Sequence, residues 1–451
     1  MEGRRLTSLA LFALIVAPVF LRADDPPATK ATAEKVAVKK AGVKKEAVQS
    51  SLFTALFGGG DDSANKPASE TTFTETKAVK VSSSFGTIVA IARGPEDTVV
   101  AITGPARGSG VAVKSNKKGG AEIQIYSKDG DLIRKFTVEF AATAAATTPS
   151  GDLLIAGEGK IARFDTQGKQ LACVDAPHVA DLMKNQEKIK KQAEERKKSM
   201  VQMYEQQVTM LKKQIEAQAK RENDGEGNQN TAAARNKTQY ESMIKMYEQQ
   251  VKQLNERPLE QYVSEITGQI KTVNSLAASK DFIFMTCGET KGYGYTCWRM
   301  NADFSNPKPV LTGLSGCCGQ MDVQCCDDCL LVAENTRKRV GVYSFEGKQV
   351  RTFGKDARES VGEGFGSCCN PMNTFPAENG TILTAESEGF IKRFDKDGKY
   401  VELVAQAKLT GGCKNVAIAT SKDGKRVYCM DLPGSRLLVF APKNASTIAA
   451  N

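Results

Sequence analysis

Any chemistry in this chain has to start from cysteine. Eleven of the twelve cysteines lie after residue 286, and several recur at one place in a repeated unit. Cys318, in Gly-Cys-Cys-Gly, aligns with Cys369, in Ser-Cys-Cys-Asn, and Cys413, in Gly-Gly-Cys-Lys, falls at or beside the same position. Each precedes the first strand of its unit, so three thiols from neighbouring units could converge. A thiolate set of that kind suits zinc, Cu(I) or an iron–sulfur cluster, because soft sulfur ligands select those metals. Cys317 and Cys368 stand immediately before two of the three and open a second outcome, structural disulfides, including vicinal bridges at 317–318 and 368–369. Thiol–disulfide exchange is a third outcome, and it needs an accessible thiolate of lowered pKa. The residues alone assign no cofactor.

The other cysteines sit elsewhere in the repeat. Cys325, Cys326 and Cys329 bracket Asp327-Asp328, a turn between the first two strands of a unit and so at the opposite end from Cys318. Cys326 and Cys329 have the spacing of a redox or metal knuckle, but no second matching pair accompanies them, and a disulfide across the turn is the favoured reading. Cys287 and Cys297 flank a Gly/Tyr-rich hairpin and are expected to bridge across it, while Cys173 has no evident mate. No Cys-x-x-Cys-His occurs, which excludes covalent haem by that motif.

The remaining chemistry is excluded by scarcity. His178 is the only histidine, so neither a Ser-His-Asp triad nor a multi-histidine zinc site can be assembled. Trp298 is the only tryptophan, which removes repeats built on a Trp-Asp pair. Ser127-Lys-Asp-Gly130 and Asp395-Lys-Asp-Gly398 lack the other ligands of a calcium loop and read as hairpin turns. Gly362-Glu-Gly-Phe-Gly366 opens no helix after a strand, so it is not a nucleotide loop. The net charge of +10 is also uninformative about nucleic acid. Residues 1–50 hold nine Lys/Arg against five Asp/Glu and residues 179–258 sixteen against twelve, leaving only +2 for the rest. A near-neutral body makes nucleic acid an unexpected partner.

The elements that must carry the cysteines come from a repeat of roughly 40–50 residues that starts near residue 85. Each copy has a buried run, a turn, a second apolar strand, and a strand ending in an aromatic residue and a charged turn. Gly151-Asp-Leu-Leu-Ile-Ala156 followed by Lys160-Ile-Ala-Arg-Phe164 is one copy; Thr381-Ile-Leu-Thr-Ala-Glu386 followed by Phe390-Ile-Lys-Arg-Phe394 is another. Six copies of four short strands predict an all-β, six-bladed β-propeller, since one such blade cannot bury both faces alone. Ala78-Val-Lys-Val81 offers a last outer strand for the sixth blade, latching the two ends of the ring together. This pattern resembles the NHL-repeat propellers, most closely over residues 320–354, where "VAENTRKRVGVYSFEGKQVRTFG" follows the family's run. Glu334, Glu386 and Asp431 stand where that family places an acidic residue after the second strand. The resemblance implies a ring that binds proteins, peptides or other ligands on a face, with only some members being enzymes.

Residues 179–258 interrupt the repeat. Val201, Tyr204, Val208, Leu211 and Ile215 step 3-4-3-4, and Tyr240, Ile244, Tyr247, Val251 and Leu254 step 4-3-4-3, the seams of a coiled coil. SMVQMYEQQV at 199–208 recurs as SMIKMYEQQV at 242–251, with a polar turn at 223–230 between the copies. The expectation is an antiparallel α-helical coiled-coil hairpin inserted in the propeller, with a first arm of about 44 residues, roughly 66 Å long. The hairpin is read as an arm for a protein partner or for self-association, with Val201, Tyr204, Val208, Leu211, Ile244, Tyr247, Val251 and Leu254 as contact residues.

The beginning of the chain reads as an address. Arg4 and Arg5 precede an apolar run from Leu6 to Leu21, and Leu-Arg-Ala ends at Ala23, giving a signal peptide over 1–23. The run is short for a span of roughly 20 residues, so a membrane contact is expected only if the segment stays uncleaved. Residues 24–72 form a disordered tether, rich in Ala, Lys, Pro, Thr and Ser. The propeller then occupies 73–178 and 259–441, and 442–451 is a tail. The expected location is exported, periplasmic or extracellular, where twelve cysteines are disulfide candidates first.

Overall fold

The computed structural model describes residues 70–105, 119–223, 231–289, 294–317, 319–357, 362–367, 369–410 and 415–443. The expected signal peptide (1–23), nearly all of the tether (24–72) and most of the tail (442–451) therefore lie outside the described residues, as do Cys318, Cys368 and Cys413.

Strands dominate because short, β-branched and apolar runs alternate with Gly-marked turns. The unit from Val323 to Phe353 shows how a blade is built. Val323–Cys325, Cys329–Glu334, Arg339–Ser344 and Gln349–Phe353 pair in that order as an antiparallel meander. Its second strand is buried along nearly its whole length, although strand side chains alternate between two faces. Leu330 and Val332 enter one core with Phe284 and Cys297, whereas Leu331 enters another with Phe365 and Phe394. The sheet is thus covered on both faces, which explains why Cys-Leu-Leu-Val-Ala reads as a continuous apolar run. Gly347 closes the last turn of this unit with φ of 87°, and a Cβ there would run into the carbonyl oxygen of Val310. Only glycine satisfies both demands.

Among the described residues six sheets have four or five strands, and a small parallel pair joins Lys355–Asp356 to Gly364–Phe365. The inner strands of the six are Gly86–Arg93, Ala144–Thr147, Val273–Ala278, Val323–Cys325, Asn373–Pro376 and Ile418–Thr420. Each touches the next, and the last touches the first, so the order closes on itself. Sheets stacked face to face around a closed loop of inner strands make a β-propeller.

Closure is made by hydrogen bonds between strands far apart in the sequence. Phe73–Lys80, the first strand among the described residues, pairs antiparallel with Arg436–Pro442, the last among them, from Phe73 opposite Pro442 to Lys80 opposite Arg436. That sheet thus joins strands from opposite ends of the described residues, and the Val81 amide then donates to the Ser435 carbonyl at 2.9 Å.

The helical insertion follows the strand Gln170–Asp175. A short helix, His178–Lys184, breaks at Asn185 (φ −112°, ψ 20°), and a helix of 38 residues, Gln186–Asn223, follows. Its length is about 57 Å at 1.5 Å per residue, shorter than expected because the break removes the first turns. The return helix is Thr231–Glu256, and Leu259–Lys271 resumes after Pro258. The two long helices run in opposite senses, with Lys197 donating to the Asn255 carbonyl, the Tyr204 and Tyr247 rings 5.6 Å apart, and Lys212 paired to Glu248 at 2.9 Å. At the base Leu182, Ile189, Ala193 and Leu254 pack on Tyr262, Ile266 and Ile270 in a core separate from the sheets. Among the described residues no helix is long and apolar enough to cross a membrane.

Candidate functional site: the two ends of the ring

The loops that lead into the inner strands gather at one end of the ring. The helical insertion occupies one of those positions, ahead of Val273–Ala278, so it leaves from the same end. Cys317 and Cys369 sit in two others. Cys369 is fully buried, Cys317 half-buried, and their sulfurs are 2.8 Å apart across neighbouring sheets. Asparagine fixes both loops. Asn335 accepts the Cys317 amide at 2.8 Å and its own Nδ2 faces the carbonyls of Cys317 and Gln320. Asn370 accepts the Ser387 amide at 2.8 Å and donates to the carbonyl of Gly366 and the carboxylate of Glu388. Of the expected metal trio only Cys369 is among the described residues, where no cluster of three or more His, Cys, Asp or Glu is placed to hold an ion.

At the opposite end Cys326 and Cys329 are joined in a disulfide across Asp327 and Asp328. The amide of Cys326 also donates to the Cys329 carbonyl at 2.9 Å, which draws the turn tight. Cys325 lies beside them with its thiol pKa pushed up by burial. The expected bridge between Cys287 and Cys297 is not formed. Cys287 stands opposite Thr296 and Cys297 opposite Thr286, one rung apart, so the two side chains point to opposite faces of the sheet. Cys287 joins the core shared with the second sheet and Cys297 the core shared with the fourth. Burial raises both thiols, Cys287 to about 12. Cys173 is an exposed free thiol.

Between the ends, the inner strands enclose a cavity of about 210 Å³ lined in part by Arg93, Gln320, Asp322 and Asn373. Side chains of this layer step from blade to blade. Ser275 accepts the Val323 amide at 2.9 Å, Asp322 the Thr374 amide at 2.8 Å, and Asn373 the Ile418 amide at 3.0 Å. Arg93 donates to the Thr420 carbonyl at 2.8 Å, Thr147 to the Arg93 carbonyl at 2.6 Å and Thr143 to the Val273 carbonyl at 2.8 Å, completing the circuit. Asp322 is the charged member of the acceptor series. Burial pushes its carboxyl up to about 6, against the pull of hydrogen bonds from Thr374 and Gln324. Sequence reasoning passed over Asp322, although Met321-Asp322 and Met372-Asn373 mark one polar position in two repeats.

The acidic residues singled out by the family resemblance lie on the hairpins and are taken up in ion pairs. Glu334 meets Arg339 at 3.0 Å and accepts the Tyr343 hydroxyl, Glu386 meets Lys392 at 2.6 Å, and Asp431 meets Arg436 at 2.6 Å. Glu386 and Lys392 are both almost wholly inaccessible, and Lys392 also donates to the Gly364 carbonyl at 2.6 Å. These pairs tie second strand to third in three successive blades.

Comparison with known proteins adds resemblance in fold only. No family model matches the chain, and no curated protein matches it. Solved structures similar to it include a gluconolactonase of Xanthomonas campestris, at 11% identity and a TM-score of 0.41, covering 81% of this chain and 89% of that one. The β-propeller domain of Swd1 from Myceliophteria thermophila is similar at 8% identity and a TM-score of 0.37, covering 82% of this chain and 100% of that one. U3-55K is similar at 7% identity and a TM-score of 0.39, covering 81% and 98%. Likeness at that level transfers no activity.

The insertion's own residues are spent internally. His178 is buried at its base, and burial holds the ring neutral, its pKa lowered to about 4 despite the nearby backbone of Ile270 and Lys271. Val208, Leu211 and Ile244 form one core with Tyr247 packed against it, and Leu254 belongs to the basal core with Val201 and Tyr204 against it. Val251 is half-buried beside them. The seam assigned to a partner therefore meets itself, because two amphipathic helices in one chain bury their stripes against each other first. The faces left to a partner are the outer ones, where Met210 and Met246 are exposed at 52% and 48%.

Proposed function

We propose that this chain is an exported, NHL-like six-bladed β-propeller that binds protein outside the cytoplasm, with the antiparallel coiled-coil hairpin as its contact arm. The closed order of six inner strands supports the blade count. The observation that carries the arm is the division of labour in the insertion. Its base has a core of its own, its seam is internal, and among the described residues the distal stretch shares no core with the sheets while exposing Met210 and Met246. Exposed methionine adapts to a partner's surface at little packing cost. A protein partner or a second copy of the chain is the occupant, met at the end of the ring where the arm leaves.

The structure dictates how to test this. Removing all of 179–258 would strip Leu182, Ile189 and Leu254 from Tyr262 and Ile266 and unfold the base. Removing 206–246 and joining Glu205 to Tyr247 through a short Gly/Ser turn takes away both exposed methionines and leaves the Tyr204–Tyr247 contact as the new tip. The trimmed protein should keep the strand circular dichroism and melting behaviour of the full chain while losing its partner or oligomer in light scattering and affinity capture. Association unchanged by the trim would refute the arm.

A further inference from the structure

We infer that Cys317 and Cys369 form a disulfide that ties the fourth blade to the fifth at the end of the ring where the arm leaves. Sequence alone pairs each with its vicinal neighbour or enlists Cys369 for a metal. The distance between the two described sulfurs points to the crosswise pair. A disulfide bond is about 2.05 Å long, so the 2.8 Å between these sulfurs closes with a small adjustment of χ angles. Two thiolates on one tetrahedral zinc, each about 2.3 Å from the ion, stand roughly 3.8 Å apart. An ion between Cys317 and Cys369 would have to push them apart by about 1 Å, against loops pinned by Asn335 and Asn370. The same pinning keeps the two sulfurs facing each other.

The bond forms by exchange. A thiolate of the pair attacks an oxidised low-molecular-weight or protein disulfide, giving a mixed disulfide and releasing one thiol of the carrier. The second thiolate of the pair displaces the carrier's other sulfur, so the S–S bond of the carrier is replaced by Cys317–Cys369. Two electrons pass to the carrier, which leaves as two thiols, with the pair's two protons going to the carrier or solvent. In the cell the step rests on the proposed export; oxidation of purified protein does not, so the two can fail separately.

The test uses the purified full-length chain treated with oxidised glutathione, alkylated in denaturant and digested with trypsin. The expected product links the peptide 300–337 to the peptide 359–392. The link should persist in the C318S/C368S variant, which has no vicinal partners, and should be lost in C317S and in C369S, with folding checked by circular dichroism. Survival of the link in C317S, full alkylation of Cys317 and Cys369 in the oxidised C318S/C368S protein, or thiols protected only until a chelator is added would each overturn the pairing. Because the decisive readout is the peptide map of C318S/C368S and wild type, a failure of either single variant to fold leaves the result decidable.

Discussion

Asp322→Asn isolates the one carboxyl in the blade-to-blade circuit. The change keeps the shape and retains an oxygen to accept the Thr374 amide, while Gln324 can turn its amide to suit the new Nδ2. In the folded protein the Asp322 carboxyl is raised from its ordinary 3.8 to about 6 by burial. A raised carboxyl binds its proton more tightly folded than unfolded, so its stabilising contribution is fully present below about pH 4 and is lost as pH rises through about 6. At 1.36 kcal/mol per unit the loss is about 3 kcal/mol. The variant does not titrate at this position, so its stability relative to the parent should rise by about 2.4 kcal/mol between pH 4, where the unfolded carboxyl is already partly ionised, and pH 7. Denaturant midpoints of both proteins at the two pH values measure that difference, and every other titrating group cancels in it. His178 runs the other way: a base lowered to about 4 contributes stability above 6.5 that is lost on acidification. Parallel curves for parent and variant would refute the account of Asp322 as a buried, proton-holding link between blades.

Two further outcomes follow from the burial pattern. Lys392→Ala should cost about 3–5 kcal/mol, because it takes the ammonium away from the buried Glu386 carboxylate, whereas the Glu386→Leu/Lys392→Met double variant should lie close to the parent in a melting experiment. In native protein at pH 8 a thiol reagent should modify Cys173 at once and leave Cys287 and Cys297 untouched until denaturant is added, as read by mass spectrometry of labelled peptides. Rapid labelling of either buried thiol would contradict the two-faced burial of the third sheet.

Much of the propeller was legible because it repeats. Leu-Leu-Ile-Ala and Leu-Leu-Val-Ala runs, each followed by an aromatic residue and a Gly turn, mark second and third strands that the structure places as read. The latch was legible too, in Ala78-Val-Lys-Val81, and it is the strand Phe73–Lys80 that supplies it. Cysteine pairing was legible only across the short turn, where Cys326 meets Cys329 as read. Counting spacing along the chain brings Cys287 to Cys297 and Cys317 to Cys318, yet a one-rung offset in register separates the first pair. Apposition of two sheets then sets Cys317 against Cys369, 52 positions away. The seam was found by periodicity, but period alone cannot say whether a stripe meets a partner or its own neighbouring helix. Asp322 escaped because a polar residue at the entry to an inner strand looks like part of a loop until the next blade's amide is beside it.

The arm is the claim on which the functional reading turns, and a photo-crosslinking side chain placed at Met210 or Met246 tests it most directly. Both positions are half exposed on the outer faces and lie outside the seam. In cells exporting the protein, irradiation should give one discrete adduct from these positions and none from a control at Leu171, which is equally exposed on a blade edge. An adduct appearing at Leu171 alone, or no adduct from either arm position, would contradict a partner-binding arm.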